Sequence, residues 1–90
     1  MQIQRYPLAG LYSGPQTVYM PSAAEIIKVD VIQNIPYIWA AIDEYNTAPF
    51  AYRNLQLSID GMSIPGTIKK YLGKIGTNDW TYYHVLELMP

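Results

Sequence analysis

The stretch Glu25–Asp43, EIIKVDVIQNIPYIWAAID, constrains this chain more than any other. It reads as two apolar strands joined at Asn34-Ile35-Pro36. Ile27, Val29 and Val31 alternate with Lys28 and Asp30, the period of two that a half-buried strand shows because successive side chains leave opposite faces. In the second strand Tyr37 and Trp39 oppose Ile38, Ala40 and Ile42. Both faces of that strand are therefore expected to be covered, with Trp39 in the core.

The remaining chain adds strands to this hairpin. Gln2–Tyr6 alternates and stops at Pro7, as a short edge strand does. Leu8–Pro15 reads as a loop, and Gln16–Met20 as a second strand stopped by Pro21. Pro21–Glu25 admits at most one helical turn, with Ser22 as its cap and Glu25 as the capping-box partner. Glu44–Pro49 is a loop by composition. Phe50–Asp60 is the cleanest amphipathic strand, Leu55, Leu57 and Ile59 alternating with a polar face of Asn54, Gln56 and Ser58. Asp60-Gly61 marks its turn, and Ile64-Pro65-Gly66 continues the loop. A strand over Ile68–Ile75, a turn at Gly76–Asp79 and a strand over Trp80–Leu88 complete the chain. The expected fold is all-β: a single domain over residues 1–90, a small, mainly antiparallel β-sandwich or barrel of about seven strands.

Charged residues make up 14% of the chain, against about 25% in an average soluble domain. A domain this short has a thin core, and the absence of cysteine removes disulfides as a support. Low charge and half the residues hydrophobic point to apolar surface hidden between subunits, so a homo-oligomer, dimer or tetramer, is expected. The net charge of −1 supplies no field to gather a DNA or RNA polymer. No apolar run reaches membrane-spanning length, and Met1-Gln-Ile-Gln-Arg-Tyr6 lacks the basic and apolar regions of a signal peptide. The expected location is a cytoplasm.

Signatures of catalysis are missing. His84 is the single histidine, so zinc sites and cysteine–histidine nucleophiles are excluded. No Gly-x-Ser-x-Gly elbow surrounds any serine, and no glycine-rich loop leads into Lys-Ser or Lys-Thr. Gly73-Lys-Ile-Gly-Thr77 has glycine spacing alone, which in a strand marks close backbone approach or a bulge. Neither enzymatic activity nor a cofactor or metal is expected.

The last strand is more informative. Trp80, Tyr82, His84, Leu86 and Leu88 share one face, and the preceding strand brings Lys69, Lys70 and Lys74 around Tyr71. Rings beside amino groups are what a nucleotide needs, stacking for the base and charge for the phosphate. The competing structural reading puts Trp80 and Tyr82 in the core, His84 on a backbone carbonyl and the lysines in solvent. Arg5 and Arg53, the only arginines, each adjoin a tyrosine, and either can serve as a bidentate phosphate partner.

Several blocks carry a family resemblance. Arg5-Tyr-Pro-Leu8 and Val18-Tyr-Met-Pro-Ser-Ala-Ala-Glu-Ile-Ile-Lys-Val29 resemble a Tyr-Pro-Leu start followed by Met-Pro-x-Gly-Ala-x-Ile-Leu-x-Val. Gln33-Asn-Ile-Pro-Tyr-Ile-Trp-Ala-Ala-Ile-Asp43 looks like Gln-x-x-x-Pro-x-Leu-Trp-Ala-x-Val-Asp. Tyr71-Leu-Gly-Lys74 and Tyr83-His-Val-Leu-Glu87 are similar to Tyr-Ile-Gly-Thr and Trp-His-Val-Phe-Glu. This is the pattern of a family of small tailed-phage and prophage proteins. Ala23 replaces its usual glycine, Tyr83 its frequent tryptophan, and residues 44–67 match poorly.

The resemblance implies a phage protein made in the host bacterial cytoplasm. Several phage families of this type are anti-CBASS sponges, which bind a cyclic nucleotide immune signal without cleaving it. A sponge of a cyclic di- or trinucleotide, repeated in a symmetric oligomer, is the first functional expectation. Trp80, Tyr82 or Tyr71 would stack on bases, Arg5, Arg53, Lys70 and Lys74 would neutralise phosphates, and His84 or Thr77 would donate hydrogen bonds. The alternative is a protein that binds a host or virion protein through an apolar or edge-strand surface. The first predicts a concave pocket where a ring and at least two basic groups converge, and the second a flat apolar patch with a polar rim.

Overall fold

The computed structural model describes residues 1–45 and 49–90, so residues 46–48 of the loop read at Glu44–Pro49 lie outside the described residues. Seven strands form: β1 (Gln2–Pro7), β2 (Gly14–Pro21), β3 (Glu25–Ile32), β4 (Ile35–Ile42), β5 (Phe50–Ser58), β6 (Ile68–Gly76) and β7 (Tyr82–Leu88). They make a three-stranded sheet in the order β1-β4-β3 and a four-stranded sheet in the order β2-β5-β7-β6. Every neighbouring pair is antiparallel. The all-β expectation holds, as an open sandwich rather than a closed barrel.

Alternation explains which side chains fill the space between the sheets. Val18 and Met20 of β2, Leu55 and Leu57 of β5, Ile75 of β6 and Val85 of β7 face Ile26 of β3 and Ile38 and Ala40 of β4. The strand at Phe50–Ser58 buries Leu55 and Leu57 as its pattern requires, whereas Ile59 lies beyond the strand and is exposed. Its polar face is covered too: Gln56 and Ser58 are buried. Residues of the 59–67 loop, Met62 and Ile64 among them, fold back over Ser58 and Leu86 on the outside of that sheet.

The central hairpin departs from expectation at its turn. Gln33 and Asn34 both take positive φ, 51° and 64°, and Ile32 faces Ile35, which is a two-residue turn matching the strand twist. Asparagine tolerates that conformation, while proline fixes φ near −65°. Pro36 therefore belongs to β4, where it is fully buried. Ile27 is corrected as well. The register slips between Ile26 and Lys28, so the bulge throws Ile27 outward and Ile26 takes the inward place.

β4 also differs from the reading of two covered faces. Pro36, Ile38 and Ala40 are buried, but Tyr37 and Trp39 are only half-buried. A two-layer domain has no third layer to cover the outside of this sheet, so Trp39 is not core. At Pro21–Ala24 the chain makes a single turn, Ala24 N–H donating to Pro21 O at 3.1 Å, and no helix. Glu25 turns to Lys70 instead of closing a capping box.

The two sheets meet along β3 and β6. Lys70 Nζ donates to Ile26 O at 3.1 Å and lies 3.6 Å from Glu25 Oε1. At Gly73 (φ 150°) a Cβ would stand 2.8 Å from Val29 Cγ2, and the β6–β7 register slips between Tyr71 and Gly73. The glycine spacing thus marks close approach and a bulge together. In the interior, Arg53 grips Glu87 with two bonds, Nε to Oε2 at 2.5 Å and Nη2 to Oε1 at 2.8 Å. Its Nη1 donates to Ala24 O at 2.7 Å and Pro21 O at 3.3 Å, tying β5, β7 and the 21–24 turn into one polar knot.

Candidate functional site

Four of the nine expected site residues come together on the outer face of β6 and β7. Lys74 faces His84, and Gly76 faces Tyr82, across the strand pair. Lys74 Nζ sits 4.7 Å from the centre of the Tyr82 ring. Tyr71 Oη lies 2.7 Å from His84 Nδ1, and His84 Nε2 lies 2.5 Å from Asp60 Oδ1. When Asp60 is ionised, Nε2–H donates to it, and in the neutral ring Nδ1 accepts the Tyr71 hydroxyl. Asp60 is the member that sequence reasoning missed, because Asp60-Gly61 also spells an ordinary turn. A cavity of about 330 Å³ adjoins this chain of bonds, its wall mostly apolar through Met62, Ile64, Ile68 and Leu86.

The hydrogen bond from His84, then the charges of His84 and Lys74, hold the Asp60 carboxyl below its ordinary value of 3.8. A carboxyl lowered in the folded protein stabilises it above the unfolded value and loses that contribution as pH falls through the folded one. Wild type is therefore expected to exceed Asp60→Asn in thermal midpoint above the ordinary aspartate range, the gap closing as the solution is acidified through it. A gap that stays constant across acid titration would contradict the assignment.

The other five expected residues are scattered. Arg53 is buried with its donors spent on Glu87 and backbone carbonyls, so it drops out of the site. Lys70 is taken by the seam between the sheets. Thr77 donates to Asp79 and to Thr81 O within the β6–β7 turn and lines a different cavity, about 280 Å³, with Leu11, Asn34 and Tyr83. Trp80 precedes β7 in that turn with φ 66° and is 82% exposed, so the expected stripe of three rings holds only Tyr82 and His84. Arg5 stands on the other sheet. Among the described residues the β6–β7 face brings one lysine, Lys74, to its rings, and Asp60 beside His84 lies close enough to feel that lysine's charge. The larger cavity, about 560 Å³ between the 8–15 and 59–67 loops, is lined by Tyr12, Thr17, Asn54, Pro65 and Leu88 among others, none of them charged.

Rings and cations do converge on the outside of the three-stranded sheet. The registers place Arg5 of β1, Trp39 of β4 and Lys28 of β3 in one row. Arg5 Cζ lies 4.4 Å from the centre of the Tyr37 ring, Lys28 Nζ lies 5.1 Å from that of Trp39, and the two rings are 6.1 Å apart. Asp30, 3.7 Å from Lys28, is the acid in this group, and both partners are solvent-exposed, where such a pair is weak. The result is an open face where two rings stand beside two cations. Tyr37, Trp39 and Lys28 were overlooked in the sequence, although Tyr37 and Trp39 alternate with the buried side of β4 and so were already assigned to one face.

The family model for a domain of unknown function, DUF7352, matches residues 1–90. The chain belongs to that family. No curated protein and no solved structure matches it. Among the described residues there is no group of histidine, aspartate and glutamate able to hold a metal ion, and no helix long and apolar enough to cross a membrane.

Proposed function

We propose that this protein is a non-catalytic binder that sequesters a cyclic di- or trinucleotide, as a phage anti-defence protein acting in the host bacterial cytoplasm. One observation supports this above the rest: Arg5, Tyr37, Trp39 and Lys28 share an open sheet face. Bases stack on Trp39 and Tyr37 because every base has a π-face, and Arg5 and Lys28 neutralise the phosphates. A sponge was expected to offer a concave pocket, and these four side chains lie on an open sheet face instead, so on this reading a second copy of the chain supplies the wall that closes over the ligand.

The test is thermal unfolding with a panel of cyclic di- and trinucleotides, followed by chromatography of what heating releases. Ligand at a hundredfold excess over Kd stabilises the folded state by about 2.7 kcal/mol. Trp39→Ala is expected to weaken binding by about 1–3 kcal/mol, the worth of one stacked base, and Arg5→Ala to weaken it while leaving the fold intact. Recovery of altered ligand would make the protein an enzyme. Absence of a shift with every member of the panel would end this reading. The second reading, a binder of a host or virion protein, is favoured by a group of bare rings beside a free strand edge on the opposite sheet.

A further inference from the structure

β2 lies at the edge of the four-stranded sheet with β5 as its one neighbour. Antiparallel pairs alternate between those that exchange hydrogen bonds and those that do not, so odd and even residues turn their backbone groups to opposite sides. Ser22 N–H donates to Pro49 O at 2.9 Å, and Ser22 opposite Pro49 continues the β2–β5 register beyond Pro21 opposite Phe50. The even-numbered residues of β2 are thereby the ones bonded to β5. Pro15, Thr17 and Tyr19 direct their backbone to the free edge, while the Pro21 carbonyl is taken by Ala24 N–H and Arg53 Nη1. The prolines agree with this, because a residue without N–H is tolerated on the side that lacks a partner strand. Thr17 and Tyr19 are left with free N–H and C=O groups, and no loop backbone among the described residues bonds them.

The rings around this edge are bare. Tyr19 lies 4.9 Å from Tyr52 and 5.3 Å from Phe50, centre to centre, and the three are 54%, 69% and 52% exposed. Given about 150–250 Å² for each aromatic side chain, they leave on the order of 300 Å² of exposed apolar surface in one patch, comparable with the largest patch of an ordinary monomer. β2 contains no charged residue. The free edge of the other sheet, β1, carries Arg5.

We infer that the β2 edge pairs antiparallel with the β2 edge of a second copy, about a two-fold axis centred on Val18. Opposed residues must lie on the same face of the joined sheet, so the axis passes through a residue and not between two. Centred on Val18, Thr17 faces the second copy's Tyr19 and Tyr19 faces its Thr17. Both pairs exchange their free N–H and C=O groups. Pro15 then faces Pro21 at either end, which stops the ladder where no donor exists. The two Tyr19 rings become diagonal neighbours about 7–8 Å apart, within reach of aromatic side chains. An uncharged strand meets its own copy without like-charge repulsion, and an exposed edge of this kind otherwise invites uncontrolled pairing. This assignment does not depend on any ligand.

Light scattering on the purified chain across a concentration series, with amide exchange, tests it. Wild type is expected at twice the chain mass of 10.2 kDa, with Thr17 and Tyr19 amides protected. Thr17→Pro removes an edge donor but no bond to β5, so it should remain folded and weaken association at least tenfold. Should Thr17→Pro fail to fold, Tyr19→Lys on the exposed face reads the same interface by bringing two lysines together. Val18→Cys, in a chain without other cysteines, should form a disulfide-linked dimer on mild oxidation. A monomeric wild type with fast-exchanging Thr17 and Tyr19 overturns the inference. So does a dimer that Thr17→Pro and Tyr19→Lys both leave intact, or protection of this edge that arises only when an unrelated protein is added.

Discussion

Glu87→Gln is expected to lower the unfolding free energy by about 3–5 kcal/mol, the cost of leaving a buried charge without its partner. The change is isosteric, so packing is kept and the loss reports on charge. Arg53 is left with a guanidinium that is 9% exposed, facing a neutral amide in place of a carboxylate. Lys69 Nζ, 3.8 Å from Glu87 Oε2 and about half exposed, loses the same partner but stays solvated, so it adds little to the cost. Domains of this kind have roughly 5–15 kcal/mol of stability in all, so the single variant should unfold at a much lower urea concentration. Removing both charges together, as Arg53→Met with Glu87→Leu, is expected to cost far less than either alone, because a buried pair roughly balances its own desolvation. Urea unfolding of Glu87→Gln, Arg53→Met and the double variant decides the point. If Glu87→Gln is as stable as wild type, the knot around Arg53 is ornamental.

Gly73→Ala is expected to cost about 1–3 kcal/mol, for two reasons that a second substitution separates. Its φ of 150° lies where side chains are strained, and its Cβ would stand 2.8 Å from Val29 Cγ2. Valine cannot swing that methyl away cheaply, since two heavy atoms on Cβ restrict χ1. Val29→Ala in the Gly73→Ala background removes the clash but not the backbone strain. A double-mutant cycle should therefore show favourable coupling of about 0.5–3 kcal/mol, the range for residues in contact. Zero coupling would mean that the seam between β3 and β6 is looser than the structure shows.

Much of the architecture was legible because alternation is a backbone property. Strands at Gln2, Gln16, Phe50 and Ile68 fall within two residues of their expected starts. What alternation cannot see is a bulge or the number of layers. A single slipped residue at Ile27 reverses which of Ile26 and Ile27 is inside, and nothing in an isoleucine pair announces it. The candidate site suffered more. Trp39 reads as core in any strand that is apolar on both faces, and only the sheet order reveals that no described strand lies over its side of β4. Arg53 illustrates the opposite error. An arginine beside a tyrosine suits a phosphate, but its carboxylate partner lies on a strand far along the chain. Tyr71, Lys74, Tyr82 and His84 did come together, because the β6–β7 hairpin is local and its register follows from the turn.

The order in which strands pair has a consequence for how the domain is made. Only β3–β4 and β6–β7 join strands that follow one another; β1 waits for β4, and β2 waits for β5 across the span from Gly14 to Leu57. Closing such long loops costs entropy before any contact repays it, so sheets of this topology fold in milliseconds to seconds rather than microseconds. On a translating ribosome β2 has no partner strand of its own until β5 has emerged. During that interval both of its edges are open, and the uncharged segment from Gly14 to Pro21 is the part of the nascent chain most exposed to mispairing.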